Sequence, residues 1–115
     1  MMKLPVFFEN SVVPNHISKV SPVEIDAISI GLVVFSAGEI NEITRRHETI
    51  HYRQWVELGF IGFAILYPLF YLINRLKGMS GAQAYREIPF EIEAYSNDDD
   101  PNYLEFRKPY SWVGL

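Results

Sequence analysis

The sequence predicts an α+β fold in which short strands near the N-terminus precede two or three helices. Prolines interrupt short apolar, β-branched segments over roughly the first forty residues, a pattern typical of strands and loops. Longer apolar and amphipathic segments follow, and their lengths suit helices. The 115 residues fit one domain, so we assign residues 1–115 to a single domain and residues 1–40 to its strand and loop region.

The strand signals are short apolar segments rich in β-branched residues. Val6 to Phe8 and Ser11 to Val13 lie among prolines and predict brief strands. The run from Ala27 to Phe35, AISIGLVVF, is long enough for one continuous strand. Residues 36–38, SAG, then end it.

The first two predicted helices cover residues 41–57 and 58–77. Asn41 or Thr44 can cap the first helix, because both side chains accept hydrogen bonds from backbone N–H groups. The second helix is strongly apolar, and cations and a glycine mark its end. We expect Pro68 to kink or split it, since proline removes a helical hydrogen bond.

A third helical segment is predicted over residues 82–97, and a tail over residues 98–115. Pro89 interrupts the third segment, and because proline fits the first turn of a helix, it is expected to open a new helix there. Asp98 to Asp100 are interpreted as a solvated end of that helix. The aromatic tail is expected to pack back against the domain.

The composition and the first residues disfavour some partners and some kinds of metal site. The net charge of −4 and the pI of about 5.3 argue against a nucleic-acid partner, which needs clustered Lys and Arg. The chain has no cysteine, so any metal must be bound by His and carboxylate side chains. The first residues, MMKLPVFFEN, lack the apolar stretch of a signal peptide, which predicts a cytoplasmic protein.

One segment of the first predicted helix carries a metal-binding pattern. His47-Glu48-Thr49-Ile50-His51 has the form HExxH. Residues at positions i and i+4 project from the same face of a helix, so both imidazoles can reach one ion, and zinc accepts such nitrogens. Glu48 would lie beside the ion, where it can take a proton from an attacking water and deliver it to the leaving group.

A catalytic zinc usually has three protein ligands, so a third one is needed. The metzincin pattern would place a glycine and a histidine where Gln54 and Glu57 stand, which disfavours that family. The candidates in the third helical segment are the glutamates Glu87, Glu91 and Glu93.

The segment Glu91-Ile92-Glu93-Ala94 resembles the glutamate helix of gluzincin-type metallopeptidases. From His47 to Asn97 the chain resembles small HExxH proteins of phages and bacteria, which carry an HExxHxxQ motif followed by a segment like PFExEAY. This resemblance implies a zincin-like minimal metallopeptidase domain that hydrolyses a peptide or protein substrate.

The resemblance also implies roles for particular residues. His47, His51 and Glu91 would bind zinc, with Glu48 as general base and acid. Larger gluzincins often place an Asp directly after the Ala of the glutamate helix, where it orients a ligand histidine. That position is Tyr95 here, so the orienting carboxylate must come from elsewhere or be absent.

Three further features have both a functional and a plain interpretation. Gln54 lies one turn beyond His51 and either hydrogen-bonds a ligand or is solvated surface. Tyr95 either polarises a substrate carbonyl or is a core tyrosine. The strand over residues 28–35 either pairs with an extended substrate at a sheet edge or is buried structure.

Residues 58–73 raise the question of a membrane. This charge-free stretch falls short of the about 20 apolar residues of a spanning helix, which favours a core helix or membrane-surface association over a span.

Two rivals to a peptidase remain. One is a catalytically weak or inactive zinc-binding regulatory protein, and the other is a small membrane-associated protein.

Overall fold

The computed structural model confirms the α+β class. It describes residues 5–10, 27–30, 33–36 and 38–115. The described part contains a three-stranded sheet of β1 (Val6–Phe8), β2 (Ala27–Ile30) and β3 (Val33–Ser36), in the order β1-β3-β2. β3 pairs in parallel with β1 and antiparallel with β2, so it is the central strand.

The predicted continuous strand from Ala27 to Phe35 is wrong. The segment forms two antiparallel strands, in which Ile28 pairs with Phe35 and Ile30 with Val33. The overlooked sequence signal is Gly31, because glycine inside an apolar run weakens a strand and often marks a break. Residues 31–32 and the predicted strand over residues 11–13 lie outside the described residues.

Helices make up most of the rest of the described chain. Their bounds are α1 Glu42–Glu57, α2 Ile61–Leu76, α3 Gly81–Arg86, α4 Pro89–Asn97 and α5 Tyr103–Phe106. Asn41 is the N-cap of α1, and its Oδ1 accepts a hydrogen bond from the backbone N–H of Thr44 at 2.8 Å. Asn41 therefore caps α1, and Thr44 lies inside it.

A sharp turn over residues 58–60 separates α1 from α2. Gly59 and Phe60 both have positive φ angles, of 65° and 64°, which end the helical path. The chain direction bends by 113° between the two helices. No single helix in the described ranges is long and apolar enough to cross a membrane, although α1 and α2 together have the length and composition of a broken span.

Pro68 does not split α2. The helix runs unbroken from Ile61 to Leu76 with Pro68 inside it. The proline leaves the carbonyl of Ala64 without its helical N–H donor. Ala64 and Pro68 are both exposed, so water can satisfy that carbonyl, and the helix continues.

The core lies where α2 meets the start of α4. Ile88 is extended and caps α4, and Pro89 occupies its first turn as predicted. Phe63, Ile88 and Phe90 are buried together. The tail packs on this core as expected, because Trp112 contacts Phe90 with ring centroids 4.7 Å apart.

The opposite side of α2 is exposed. Its solvent-facing apolar residues are Ile61, Ile65, Leu69, Leu72, Ile73 and Leu76. The helix therefore covers the core with one side and leaves an apolar surface, residues 61–76, on the other.

Candidate metal centre

Helices α1 and α4 bring two histidines and a glutamate together. His47 and His51 are one turn apart on α1, so their rings project from the same face. Glu91 lies in the first turn of α4, which packs across that face. All three are buried, and each offers one ligand atom within 4.8 Å of the others. This group could hold a metal ion.

The three candidate ligand atoms form a nearly equilateral triangle. The distances are 3.2 Å from His47 Nε2 to His51 Nε2, 3.2 Å from His47 Nε2 to Glu91 Oε1, and 3.0 Å from His51 Nε2 to Glu91 Oε1. Ligands about 2.0–2.1 Å from a tetrahedral zinc are about 3.3–3.4 Å apart. An ion slightly above this triangle would therefore reach all three atoms with little movement, and the residues fit zinc.

Asp98 holds the far side of the His47 ring. Its Oδ2 lies 3.0 Å from His47 Nδ1. A carboxylate accepts, so Nδ1 donates its hydrogen and Nε2 keeps the lone pair that a metal needs. Asp98 ends α4, and the side chain of Arg46 donates to its backbone carbonyl at 2.6 Å. Asp98 supplies the orienting carboxylate that Tyr95 cannot, so its interpretation as a solvated helix end is wrong.

Gln54 has the corresponding role for His51. The Oε1 atom of Gln54 lies 2.7 Å from His51 Nδ1, and its Nε2 donates to the Phe90 carbonyl at 3.0 Å. Gln54 is fully buried, so its interpretation as solvated surface is wrong. His51 thus donates from Nδ1 and presents Nε2 to the site, as His47 does.

Glu48 lies beside the triangle and is buried. Burial raises the pKa of its carboxyl group, although His51 and His47 nearby lower it in part. A carboxylate with a raised pKa binds a proton more strongly than an ordinary glutamate, which is what a general base requires.

The charges of the cluster favour a cation at its centre. Burial alone would lower the pKa of His51, but the charge and hydrogen bond of Glu91 outweigh it and raise this pKa to about 9. Burial alone would raise the pKa of Glu91, but His51 and His47 hold it well below its usual range. Glu91 therefore stays a carboxylate, and a metal must compete with a proton on His51.

Tyr67 from α2 completes the surroundings of Glu91. Its hydroxyl donates to Glu91 Oε2 at 2.5 Å, while Oε1 faces the histidines. Burial and the Glu91 charge raise the pKa of Tyr67 well above its usual value, so the hydroxyl keeps its hydrogen. This contact leaves one oxygen of Glu91 for a metal. No local sequence signal identifies Tyr67, because it comes from an apolar helix.

The other candidates from the sequence lie elsewhere. Glu87 is exposed at the end of α3. Glu93 is buried but faces away from the histidines, toward Arg107, where its oxygens accept two hydrogen bonds. The Tyr95 ring packs edge-on against His47 at 4.5 Å, and its hydroxyl pairs with that of Tyr85 at 2.8 Å. Tyr95 therefore packs beside the site.

The strand near the site is β2. In the described part of the sheet, β3 is paired on both sides, so residues 33–35 cannot bind an extended peptide through their backbone. Among the described strands β2 is an outer one, and it contacts α1. The predicted substrate strand over residues 28–35 is thus restricted to residues 28–30.

Comparisons of the chain with protein-family models, with curated proteins and with solved structures found no match. The geometry of His47, His51 and Glu91, together with the side chains that orient them, therefore supports the candidate metal centre.

Proposed function

We propose that this protein is a zinc-dependent metallopeptidase. The single observation that carries the proposal is the triangle of His47 Nε2, His51 Nε2 and Glu91 Oε1, with Glu48 beside it. Two imidazoles and one carboxylate form the donor set of many catalytic zinc sites, and a glutamate beside them can act as the base.

Zinc is the ion that suits this donor set best. The two imidazole nitrogens favour a borderline metal over calcium or magnesium, which prefer oxygen ligands. Three protein ligands leave the fourth tetrahedral position for water or substrate, as in catalytic sites.

Metal analysis of the purified chain should find one zinc per molecule, and the His51→Ala variant should lose that zinc.

The residues of the site then divide the work of hydrolysis. Zinc, when bound, supplies Lewis acidity that polarises a substrate carbonyl and favours deprotonation of water. Glu48 takes the proton from the attacking water and passes it to the leaving amine nitrogen. Asp98 and Gln54 keep the two rings oriented throughout, and burial strengthens the electrostatic interactions.

The position of β2 favours a peptide substrate. An extended peptide can add to the edge of a sheet through main-chain hydrogen bonds, and β2, an outer strand in the described part of the sheet, lies against the helix that carries both histidines. Such pairing depends little on side chains, so it suits a peptide or protein substrate.

Replacing Glu48 with Gln tests the proposal. The amide keeps the size of the side chain but cannot take a proton, so hydrolysis of a peptide library should fall by at least about a hundredfold while zinc remains bound. Glu87→Gln, an exposed change of the same kind, is the matched control and should leave both properties intact. Retained hydrolysis in Glu48→Gln would refute the assignment of the base.

A second candidate is a zinc-binding regulatory protein without hydrolysis. Its support is the burial of the site, because His51 is 5% exposed, Glu48 7% and Glu91 3%. Stoichiometric zinc, a folded Glu48→Gln variant and no cleavage of any peptide by the wild type would favour this candidate over a peptidase.

The exposed apolar surface of α2 supports membrane-surface association. An apolar helix face exposed over residues 61–76, with Arg75 and Lys77 at its end, can bury itself at a lipid interface. We expect the protein to co-sediment with anionic lipid vesicles, and Leu69→Asn together with Leu72→Asn to reduce this binding severalfold without loss of zinc. Wild-type protein that stays in the supernatant would rule out this association.

A further inference from the structure

Beyond the metal ligands, an ionic cluster links the C-terminal tail to both helices of the site. Arg107 lies just after α5, and its guanidinium is almost fully enclosed. It donates to both oxygens of Glu57 on α1 and to both oxygens of Glu93 on α4. The Tyr103 hydroxyl adds a further hydrogen bond to Glu93 at 2.6 Å.

Glu93, held in this cluster, in turn orients the side-chain amide of Gln54. Its Oε1 accepts a hydrogen bond from Gln54 Nε2 at 3.0 Å, and the Phe90 carbonyl accepts another from the same nitrogen. Two acceptors therefore face one end of the Gln54 amide. The NH₂ group must occupy that end, and the carbonyl oxygen must face His51 Nδ1, 2.7 Å away.

The orientation of this amide matters for metal binding. If the amide were reversed, its NH₂ group would face His51 Nδ1, which would then have to accept. The hydrogen of a neutral ring would move to Nε2, the atom that belongs to the triangle of ligands. Such a ring cannot bind a metal at that point without first losing the hydrogen.

We propose that Glu93, held by Arg107, is a positioning residue that fixes the amide of Gln54 and thereby selects Nε2 of His51 as the ligand atom. The proposal deepens the proposed function, because it rests on zinc binding at this site. It also gives the tail a role in metal binding, although no tail residue belongs to the ligand triangle.

Two variants of equal charge separate a positioning role of Glu93 from an effect on general stability. Glu93→Gln and Glu57→Gln each remove one carboxylate charge from Arg107, but of the two glutamates Glu93 is the one whose side chain accepts a hydrogen bond from Gln54. The zinc Kd, measured by competition with a chromophoric chelator, should rise roughly tenfold to a hundredfold in Glu93→Gln, a range typical of residues that orient a ligand. Glu57→Gln should leave the zinc Kd nearly unchanged, even if it lowers the melting temperature as much as Glu93→Gln does.

Equal effects of the two variants on the zinc Kd would overturn the proposal, and so would an unchanged Kd in Glu93→Gln. A wild-type chain that binds no zinc would instead refute the metal site and the proposed function with it. The two failures are therefore distinguishable.

A measurement on the wild-type chain keeps the proposal testable if either variant fails to fold. Proton–nitrogen spectra of the zinc-loaded protein should show a His51 Nδ1–H signal that exchanges slowly with water, because Gln54 accepts that hydrogen. A His51 ring bound to zinc through Nδ1, with its hydrogen on Nε2, would contradict the assignment.

Discussion

At the scale of single residues, each histidine of the site depends on one acceptor behind it. His47 is held by Asp98 and His51 by Gln54, and both rings consequently direct Nε2 toward Glu91. The two acceptors differ in kind, because one is a carboxylate at a helix end and the other a fully buried amide. Residues outside the candidate ligand set thus determine whether the two Nε2 atoms could bind a metal.

Removing Asp98 should weaken metal binding without abolishing it. Asp98→Ala leaves His47 Nδ1 without its acceptor, so the ring loses its fixed tautomer, and the zinc Kd should rise about tenfold to a hundredfold. The competition titration used for Glu93 measures this change. Asp99→Ala removes the same charge from an exposed neighbour and should leave the Kd unaltered. Equal weakening in both variants would assign the effect to net charge alone.

Part of the site follows from sequence, and part depends on tertiary structure. The i, i+4 spacing places His47 and His51 on one face of α1, so their proximity is predictable from helix geometry. Asp98 lies seven residues after Glu91, a spacing that also shares a helix face and could have indicated its role. Tyr67 and Arg107 have no such local signal, because separate elements bring Tyr67 to Glu91 and Arg107 to Glu93.

At the scale of elements, turns determine how the site is assembled. The bend between α1 and α2 sends α2 back over the core, where Tyr67 reaches Glu91. Pro89 starts α4 and thereby places Glu91 in its first turn. The sequence predicts the second of these features from proline chemistry. The angle of the bend depends on the backbone dihedrals of Gly59 and Phe60, and the identities of these two residues do not determine those dihedrals.

Gly59 should be important for that bend. Its φ of +65° is strained for residues with a Cβ, while nothing lies within 4 Å of an added Cβ, so the cost of Gly59→Ala is conformational. We expect the free energy of unfolding to fall by about 1 kcal/mol in urea titrations, since reduced entropy of the unfolded chain offsets part of the strain.

Gly38 provides the comparison for Gly59. It also has open space around its Cβ position but no positive φ, so Gly38→Ala should be neutral or slightly stabilising. Identical losses for the two substitutions would show that backbone strain is not what distinguishes Gly59.

At the scale of the whole molecule, two clusters join α1 to α4, in addition to the hydrogen bonds from Gln54 to Phe90 and Glu93. The cluster of His47, His51 and Glu91 connects them at one level, and Arg107 connects Glu57 to Glu93 at another. The small core around Phe63 and Phe90 supports both connections. A metal ion at the first connection would therefore add to the stability of the fold, because it binds the folded arrangement and not the unfolded chain.

Zinc removal should consequently lower the melting temperature. At a free zinc concentration of 100 times the Kd, binding stabilises the folded state by about 2.7 kcal/mol, which corresponds to roughly 10 °C for a domain of this size. Scanning calorimetry with and without a chelator measures the shift. His51→Ala should melt at the same temperature under both conditions, because its binding triangle is broken. A chelator effect of equal size in that variant would place the stabilising metal elsewhere in the chain.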